Sequence, residues 1–213
     1  MHEHIDEWRK LNLQFRGICT GFLGSAKQIS IVRDFIDEFG GDDCVTLVDP
    51  VMGDEGKAYG TYTPEMCERM AELVAHADII TPNITEACIL ANVDYDPHMS
   101  FDDTSLAQKL CDMGPSKVVV TGVEHESTMS NACLERGKEP FTVTGEKLGE
   151  QRSGTGDVFS AIIAADAVNE VPFRKSIEKA TRFAHDCVQA SIDLGIPRTD
   201  GLAFEEKLHT LTQ

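Results

Sequence analysis

The feature that most constrains the fold is a series of short, continuously apolar segments separated by longer amphipathic ones. Residues 45–48 (Val-Thr-Leu-Val) and 117–121 (Lys-Val-Val-Val-Thr) are the clearest apolar segments. Between them, residues 64–74 place apolar side chains at helical spacing. Short strands without polar alternation are typical of a parallel sheet that is buried on both faces by helices. The pattern therefore predicts an α/β fold with a mostly parallel central sheet and helices on both faces.

The remaining segments extend this alternation over one domain, residues 1–213. Further strands are expected at 16–20, 78–81, 128–135 and 140–149, the last two antiparallel around a turn at residues 137–138. Helices are expected at 5–14, 28–39, 83–92, 100–113, 154–169, 172–194 and 204–211, with Ser100 as a cap. Residues 51–62 are predicted to form a glycine-rich loop. Such sheets bind ligands beyond the carboxyl ends of their strands, so polar residues that follow strands are the candidates for function.

The charge balance restricts the partners. The chain has 36 acidic and 19 basic residues, a net charge of −17, which predicts repulsion from nucleic acids and anionic membranes. No apolar run approaches the roughly 20 residues that a membrane-spanning helix needs. The seven cysteines are odd in number and show no Cys-x-x-Cys spacing, which favours free thiols in a reducing, cytoplasmic environment.

The most specific polar segment is residues 152–157 (Arg-Ser-Gly-Thr-Gly-Asp), directly before an apolar helix. Glycines at a helix start let a ligand approach the backbone, and the unpaired N–H groups there attract anions. Asp157, in the first turn, could accept a proton from an attacking hydroxyl. The alternative is a glycine-rich loop whose acidic residue merely suits the helix dipole, and local physics alone favours that alternative.

Three other polar segments follow strands. Asp49 and Asp54 lie in a loop after an apolar strand, and their oxygens suit Mg²⁺ bound with phosphates as well as they suit a solvated turn. Asn83 and Glu86 have the spacing of a helix capping box, which outweighs a role near a metal. Thr121, at a strand end, could meet a phosphate but is more simply a strand exit. No G-x-x-x-x-G-K-[ST] motif is present.

Taken in order, four motifs resemble the pyridoxal/pyridoxamine kinases of the ribokinase-like superfamily. They are Gly-Phe-Leu-Gly-Ser (21–25), Asp-Pro-Val-Met-Gly-Asp (49–54), Thr-Pro-Asn-Ile-Thr-Glu (81–86) and Gly-Thr-Gly-Asp (154–157). The resemblance runs from about residue 5 to the end of the chain. It implies ATP-dependent phosphorylation of the 5′-hydroxyl of pyridoxal, pyridoxamine or pyridoxine, with Mg²⁺ and also K⁺ as a candidate activating cation.

The resemblance also implies roles for individual residues. Asp157 would be the base and contact the substrate, with the amides of Gly154, Thr155 and Gly156 forming an anion hole for the transferring phosphoryl group. Phe22 would lie near the pyridine ring. The metal would be held, directly or through water, by Asp49, Asp54 and Glu86, and the nucleotide side would be completed by Thr81, Asn83, Thr121 and Asp54.

The chain departs from this family at its start. It begins at what resembles the helix after the family's first strand, so the first strand and the lid region are expected to be absent. Loss of a central strand would expose a sheet edge, which favours a homodimer. Two other functions remain open: a related vitamin kinase, such as a hydroxymethylpyrimidine kinase, and a truncated, non-catalytic nucleotide-binding protein.

Overall fold

The computed structural model describes residues 1–96, 105–124, 127–149 and 152–212. The strands are β1 (Gly17–Thr20), β2 (Val45–Val48), β3 (Gly53–Asp54), β4 (Lys57–Ala58), β5 (Ile79–Ile80), β6 (Lys117–Glu124), β7 (Thr128–Glu135) and β8 (Phe141–Glu146). The helices are α1 (His2–Lys10), α2 (Ala26–Phe39), α3 (Pro64–Val74), α4 (Ile84–Ala91), α5 (Ser105–Asp112), α6 (Thr155–Val168) and α7 (Phe173–Asp193). Two 3₁₀ segments, Arg198–Asp200 and Glu205–Thr212, complete the described chain.

Six strands form one sheet in the order β1-β2-β5-β6-β7-β8. The first four are parallel to one another, and β7 and β8 continue the sheet as antiparallel strands. The predicted α/β fold with a mostly parallel sheet is thereby confirmed. The loop predicted at 51–62 is more ordered than expected, because β3 and β4 pair there as a small antiparallel hairpin. The cap predicted at Ser100 lies outside the described residues.

Both faces of the sheet are buried, which explains why its strands read as continuous apolar runs. Val48, Ile80 and Val118 belong to a core that includes residues of α2, α3, α4 and α5. Their neighbours Leu47, Ile79 and Val119 belong to a second core, formed with α6 and α7. Successive side chains of a strand point to opposite faces, so each short strand supplies both cores.

The parallel register aligns the carboxyl ends of the strands. Thr20 is opposite Val48, Val48 is opposite Ile80, and Ile80 is opposite Val118. The pairing continues for one more step, because the backbone N–H of Asp49 donates to the carbonyl of Thr20. The polar residues that follow these strands are therefore carried to the same edge of the sheet.

Strand β1 lies at one edge of the sheet, where it pairs only with β2 among the described residues. The preceding helix α1 is fixed to α2 by aromatic rings: Trp8 and Phe15 both pack against Phe35 at centroid distances of 5.4 and 5.5 Å. All seven cysteines are free, as predicted. Within the part of the chain that the structure describes, no helix has the length and apolar character needed to cross a membrane.

Candidate active site

A cleft of about 620 Å³ lies at the carboxyl edge of the parallel strands. Its lining includes all but one of the predicted site residues: Asp49, Asp54, Thr81, Asn83, Glu86, Thr121, Gly154, Thr155, Gly156 and Asp157. These residues come from four separate segments of the sequence. The sheet register and the start of α6 bring them together, although none of these segments identified a site alone.

The start of α6 lines the cleft. Gly154 is the N-cap with φ +88°, in the left-handed region where glycine is favoured, and no side chain caps this helix. A Cβ placed on Gly154 would have no neighbour within 4 Å, and one on Gly156 would approach only the Asp49 Oδ2 atom, at 3.9 Å. The space in front of the first-turn amides is therefore left open by the protein. This open space in front of the amides of residues 154–156, called the helix mouth below, suits an anion.

Asp157 lies beside this mouth and is exposed to the cleft. A Cβ placed on Gly21, just after β1, would lie 3.8 Å from the Asp157 Oδ1 atom. The carboxylate therefore sits between the end of β1 and the first turn of α6. A hydroxyl group of a ligand could reach Asp157 from the cleft while an anion occupies the helix mouth.

Asp49 is the buried carboxylate of the cleft, at 6% exposure. Its Oδ2 accepts a hydrogen bond from the Ser160 hydroxyl at 3.0 Å. The pKa of Asp49 is raised from 3.8 to about 7, mainly by burial and also by the negative charge of Asp157, against the hydrogen bond from Ser160. A cation near this pair would relieve both the desolvation and the repulsion.

Asp54 is carried by the small hairpin. Its Oδ1 accepts from the backbone N–H of Glu55 at 2.8 Å. The Asn83 side chain donates to the carbonyl of Gly53 at 2.8 Å, and the Thr85 hydroxyl accepts from the backbone N–H of Gly56 at 2.9 Å. Two residues at the start of α4 therefore hold the hairpin, and with it Asp54, against the cleft.

Glu86 completes the capping box of α4 that the sequence predicted. Its Oε2 accepts from the Asn83 backbone N–H at 2.8 Å, and the Asn83 side chain accepts from the Glu86 N–H at 2.9 Å. Its Oε1 accepts from the Met52 N–H at 3.0 Å. Burial raises the pKa of Glu86 to about 8 despite these donors. The geometry favours capping for Glu86, and contact with a metal through water stays a prediction.

The donors fit Mg²⁺ bound together with a nucleotide. Among the described residues, no three His, Cys, Asp or Glu side chains converge as a ready-made metal cluster. Asp49 and Asp54 nevertheless offer hard oxygen atoms in the same cleft as the helix mouth. Mg²⁺ in phosphate-transferring sites usually takes one or two carboxylates and completes its shell with phosphate oxygens and water. This pair of carboxylates matches that pattern.

Thr121 lies at a break in the strand pairing between β6 and β7. The register shifts between Val120 and Val123, and Gly122 has φ +75°. The backbone N–H of Thr121 pairs instead with the carbonyl of Pro82 at 2.8 Å. A bulge of this kind re-aims side chains. Thr121 and Gly122 both line the cleft. Since β6 continues to Glu124, Thr121 is not the end of the strand as expected, and its contact with a nucleotide stays a prediction.

Several basic residues that line the cleft were not predicted. They are Arg152, Lys147 and Arg198. The Arg152 side chain donates to the carbonyl of Ile196 at 2.9 Å, and Lys147 pairs with Glu124 at 2.6 Å. Arg152 adjoins the glycine motif and was within reach of sequence reasoning. The other two lie on segments without a motif, and only the fold brings them here.

Phe22 is the one predicted residue outside this lining. Its ring is 55% exposed and lies 6.2 Å from the ring of Tyr62, centroid to centroid. It follows Gly21, the residue whose Cβ position lies 3.8 Å from the Asp157 Oδ1 atom. A contact of Phe22 with a substrate ring stays a prediction.

Comparison with known proteins shows which family this chain belongs to. The sequence profile of the phosphomethylpyrimidine kinases matches residues 10–200. The chain belongs to this family. The resemblance to the pyridoxal kinases of the ribokinase-like superfamily, expected from the four motifs, is confirmed as well.

Two solved structures show how far the similarity extends. A protein of Bacteroides thetaiotaomicron, described as a candidate phosphomethylpyrimidine kinase and crystallised with pyridoxal, is 32% identical. It superposes with a TM-score of 0.94 over 100% of this chain and 76% of its own. The pyridoxal kinase of Leishmania donovani, in complex with ADP and pyridoxamine, is 25% identical with a TM-score of 0.77, covering 96% of this chain and 74% of its own.

Curated relatives carry both vitamin-kinase names. The hydroxymethylpyrimidine/phosphomethylpyrimidine kinase of Haemophilus influenzae is 27% identical over 87% of this chain and 70% of its own length. A candidate pyridoxal kinase of fission yeast and the pyridoxal kinase of Arabidopsis thaliana match at 29% and 28% identity. The chain spans 49% and 58% of the lengths of those two relatives.

Proposed function

We propose that this protein is an ATP-dependent kinase that phosphorylates the hydroxymethyl group of a vitamin-type heteroaromatic ring, with a B6 vitamer as the first candidate. The observation that carries the proposal is the open glycine mouth of α6 with the Asp157 carboxylate directly beside it. One part of this arrangement suits a phosphate group and the other suits a hydroxyl group that must lose its proton.

The chemistry follows from that juxtaposition. Asp157 would orient the substrate hydroxyl and accept its proton as the oxygen attacks the terminal phosphorus of ATP. The new O–P bond forms while the bond between the terminal phosphorus and the bridging oxygen breaks, and ADP leaves. Amides of Gly154, Thr155 and Gly156 would stabilise the charge on the transferring group. Mg²⁺, when bound, neutralises phosphate charge, and Asp49 and Asp54 would hold it.

Two substrates are supported by different observations. Pyridoxal is favoured because the 32% identical Bacteroides protein was crystallised with it. Hydroxymethylpyrimidine is favoured by the family profile and by the Haemophilus relative. Both molecules present a hydroxymethyl group on a flat ring. The proposal includes the features implied by the family resemblance: a homodimer, a cytoplasmic location and activation by K⁺.

The test of this proposal is the Asp157→Asn variant, with Asp43→Asn as the control because Asp43 is exposed in the turn before β2. We expect Asp157→Asn to lower kcat by at least about 10²-fold, the usual contribution of a general base, with ATP affinity within about twofold of wild type. Asp43→Asn should match wild type. Turnover is measured with pyridoxal, pyridoxamine, pyridoxine and hydroxymethylpyrimidine in turn. Wild-type turnover in Asp157→Asn would remove Asp157 as the base, and inactivity of the wild type on all four would refute the proposed function.

A further inference from the structure

A second polar side chain of α6 reaches the cleft one helical turn after Asp157. Ser160 is only 3% exposed, and its neighbours Phe159 and Ile163 belong to the apolar core. Its Oγ lies 3.0 Å from the Asp49 Oδ2 and 2.9 Å from the Thr81 Oγ1. One buried hydroxyl therefore joins α6 to the residues that follow β2 and β5.

Proton counting gives the directions of these two hydrogen bonds when Asp49 is ionised, which is the form that binds a cation. The ionised carboxylate can only accept, so the single hydroxyl proton of Ser160 is donated to its Oδ2. Ser160 has no second proton, so in this state its oxygen accepts from the Thr81 hydroxyl. The result is a directed chain of hydrogen bonds from Thr81 to Ser160 to Asp49. It fixes one carboxylate oxygen of Asp49 and restrains rotation of that group.

We propose that Ser160 is a positioning residue for the divalent cation of the proposed reaction. The inference rests on the proposed function, because it takes Asp49 as the residue that meets the cation. A carboxylate that completes its metal shell with incoming phosphates must already point correctly, and hydrogen-bonded partners of ligating carboxylates supply that orientation. Ser160 has the burial, the distance and the donor direction that this role requires.

A simpler role would be that Ser160 fills space in the helix packing. The chain contains a matched control for that role. Ser176, on α7, is 2% exposed, and its hydroxyl has no hydrogen-bond partner among the described residues. Both serines lose one buried hydroxyl on replacement by alanine, but only Ser160 touches Asp49.

The test measures the binding of Mn²⁺, a paramagnetic substitute for Mg²⁺, to the protein–ADP complex by electron paramagnetic resonance. We expect Ser160→Ala to weaken Mn²⁺ binding about 10-fold, as loss of a ligand's supporting partner commonly does, and to leave metal-free ADP binding within about twofold. Ser176→Ala should bind Mn²⁺ as wild type does. Wild-type Mn²⁺ affinity in Ser160→Ala would overturn the proposal, and so would an equal loss in Ser176→Ala.

A second variant covers the case in which Ser160→Ala does not fold. Thr81→Val removes the outer link of the chain while Asp49 and Ser160 remain, so a smaller loss of Mn²⁺ affinity, about threefold, is expected. No loss in Thr81→Val would then overturn the proposal. If the wild-type ADP complex itself bound no Mn²⁺, the proposed function would fail together with this inference. Normal binding by wild type and by Ser160→Ala alike would refute only the role of Ser160.

Discussion

Two aspartates that meet in the same cleft differ sharply in their surroundings. Asp49 is buried and hydrogen-bonded to Ser160, and Asp157 is exposed beside the open mouth of α6. Burial and the charge of Asp157 raise the pKa of Asp49 to about 7. A buried carboxylate of this kind suits a fixed cation, whereas an exposed one can exchange a proton with substrate and solvent. In the proposed reaction, this difference in environment would separate the cation-binding role of Asp49 from the proton-accepting role of Asp157.

The raised pKa of Asp49 predicts how stability depends on pH. Below pH 7 the folded protein keeps a proton on Asp49 that the unfolded chain, with an ordinary pKa of 3.8, has released. Folding is then favoured at low pH, and the free energy of unfolding falls as the pH rises through this window. With about 1.4 kcal/mol for each pKa unit, the ligand-free protein should lose at least about 2 kcal/mol between pH 5.5 and 8.5.

Urea unfolding at these two pH values and constant ionic strength measures this loss. The Asp49→Asn variant provides the control, because its side chain carries no titrating proton at either pH. Its fall in stability should be clearly smaller than that of wild type. An identical fall in the two proteins would show that Asp49 does not titrate in this range.

At the scale of elements, α4 and the β3–β4 hairpin depend on each other. Glu86 accepts backbone N–H bonds from Asn83 at the start of α4 and from Met52 just before the hairpin. Asn83 in turn holds the carbonyl of Gly53. A helix cap thereby sets the position of the loop that carries Asp54.

Removing this cap should cost stability. Glu86→Ala leaves two backbone N–H groups without their acceptor, so we expect a loss of about 1–3 kcal/mol in the free energy of unfolding. Glu65→Ala is the matched control, since Glu65 also lies in the first turn of a helix but is exposed. Chemical denaturation of both variants measures the difference between their free energies of unfolding. It is carried out below pH 7, where the raised pKa keeps Glu86 protonated in the variant that retains it, and again near pH 9. Equal stabilities of the two variants would contradict this role.

The elements also show where prediction from sequence succeeded and failed. The strand at 45–48 and the capping box of Asn83 and Glu86 were predicted correctly, because an apolar run and a pair of polar residues at capping-box spacing are local signals. The β3–β4 hairpin was missed, since strands of two residues have no periodicity to detect. The hairpin is held by hydrogen bonds from its backbone to the side chains of Asn83 and Thr85, some 30 residues away in sequence.

At the scale of the whole molecule, the fold concentrates unlike charges in a strongly acidic chain. The cleft is lined by the carboxylates of Asp49, Asp54, Glu86 and Asp157 and by the basic side chains of Lys147, Arg152 and Arg198. Asp157 and its glycines could be proposed from sequence because they form one motif. Ser160 and Arg198 could not, because their importance depends on which strand ends and which terminal segment pack around the same space.

In the proposed reaction, the first turn of α6 holds the terminal phosphate of ATP beside Asp157. A crystal structure with Mg²⁺ and a non-hydrolysable ATP analogue would show this placement. We expect the terminal phosphate oxygens to lie within hydrogen-bond distance, about 2.7–3.2 Å, of the amides at Gly154–Gly156, with Asp157 facing the phosphorus from the Gly21 side. A well-ordered analogue bound elsewhere, or with its terminal phosphate directed to solvent away from α6, would refute this role of α6 and Asp157.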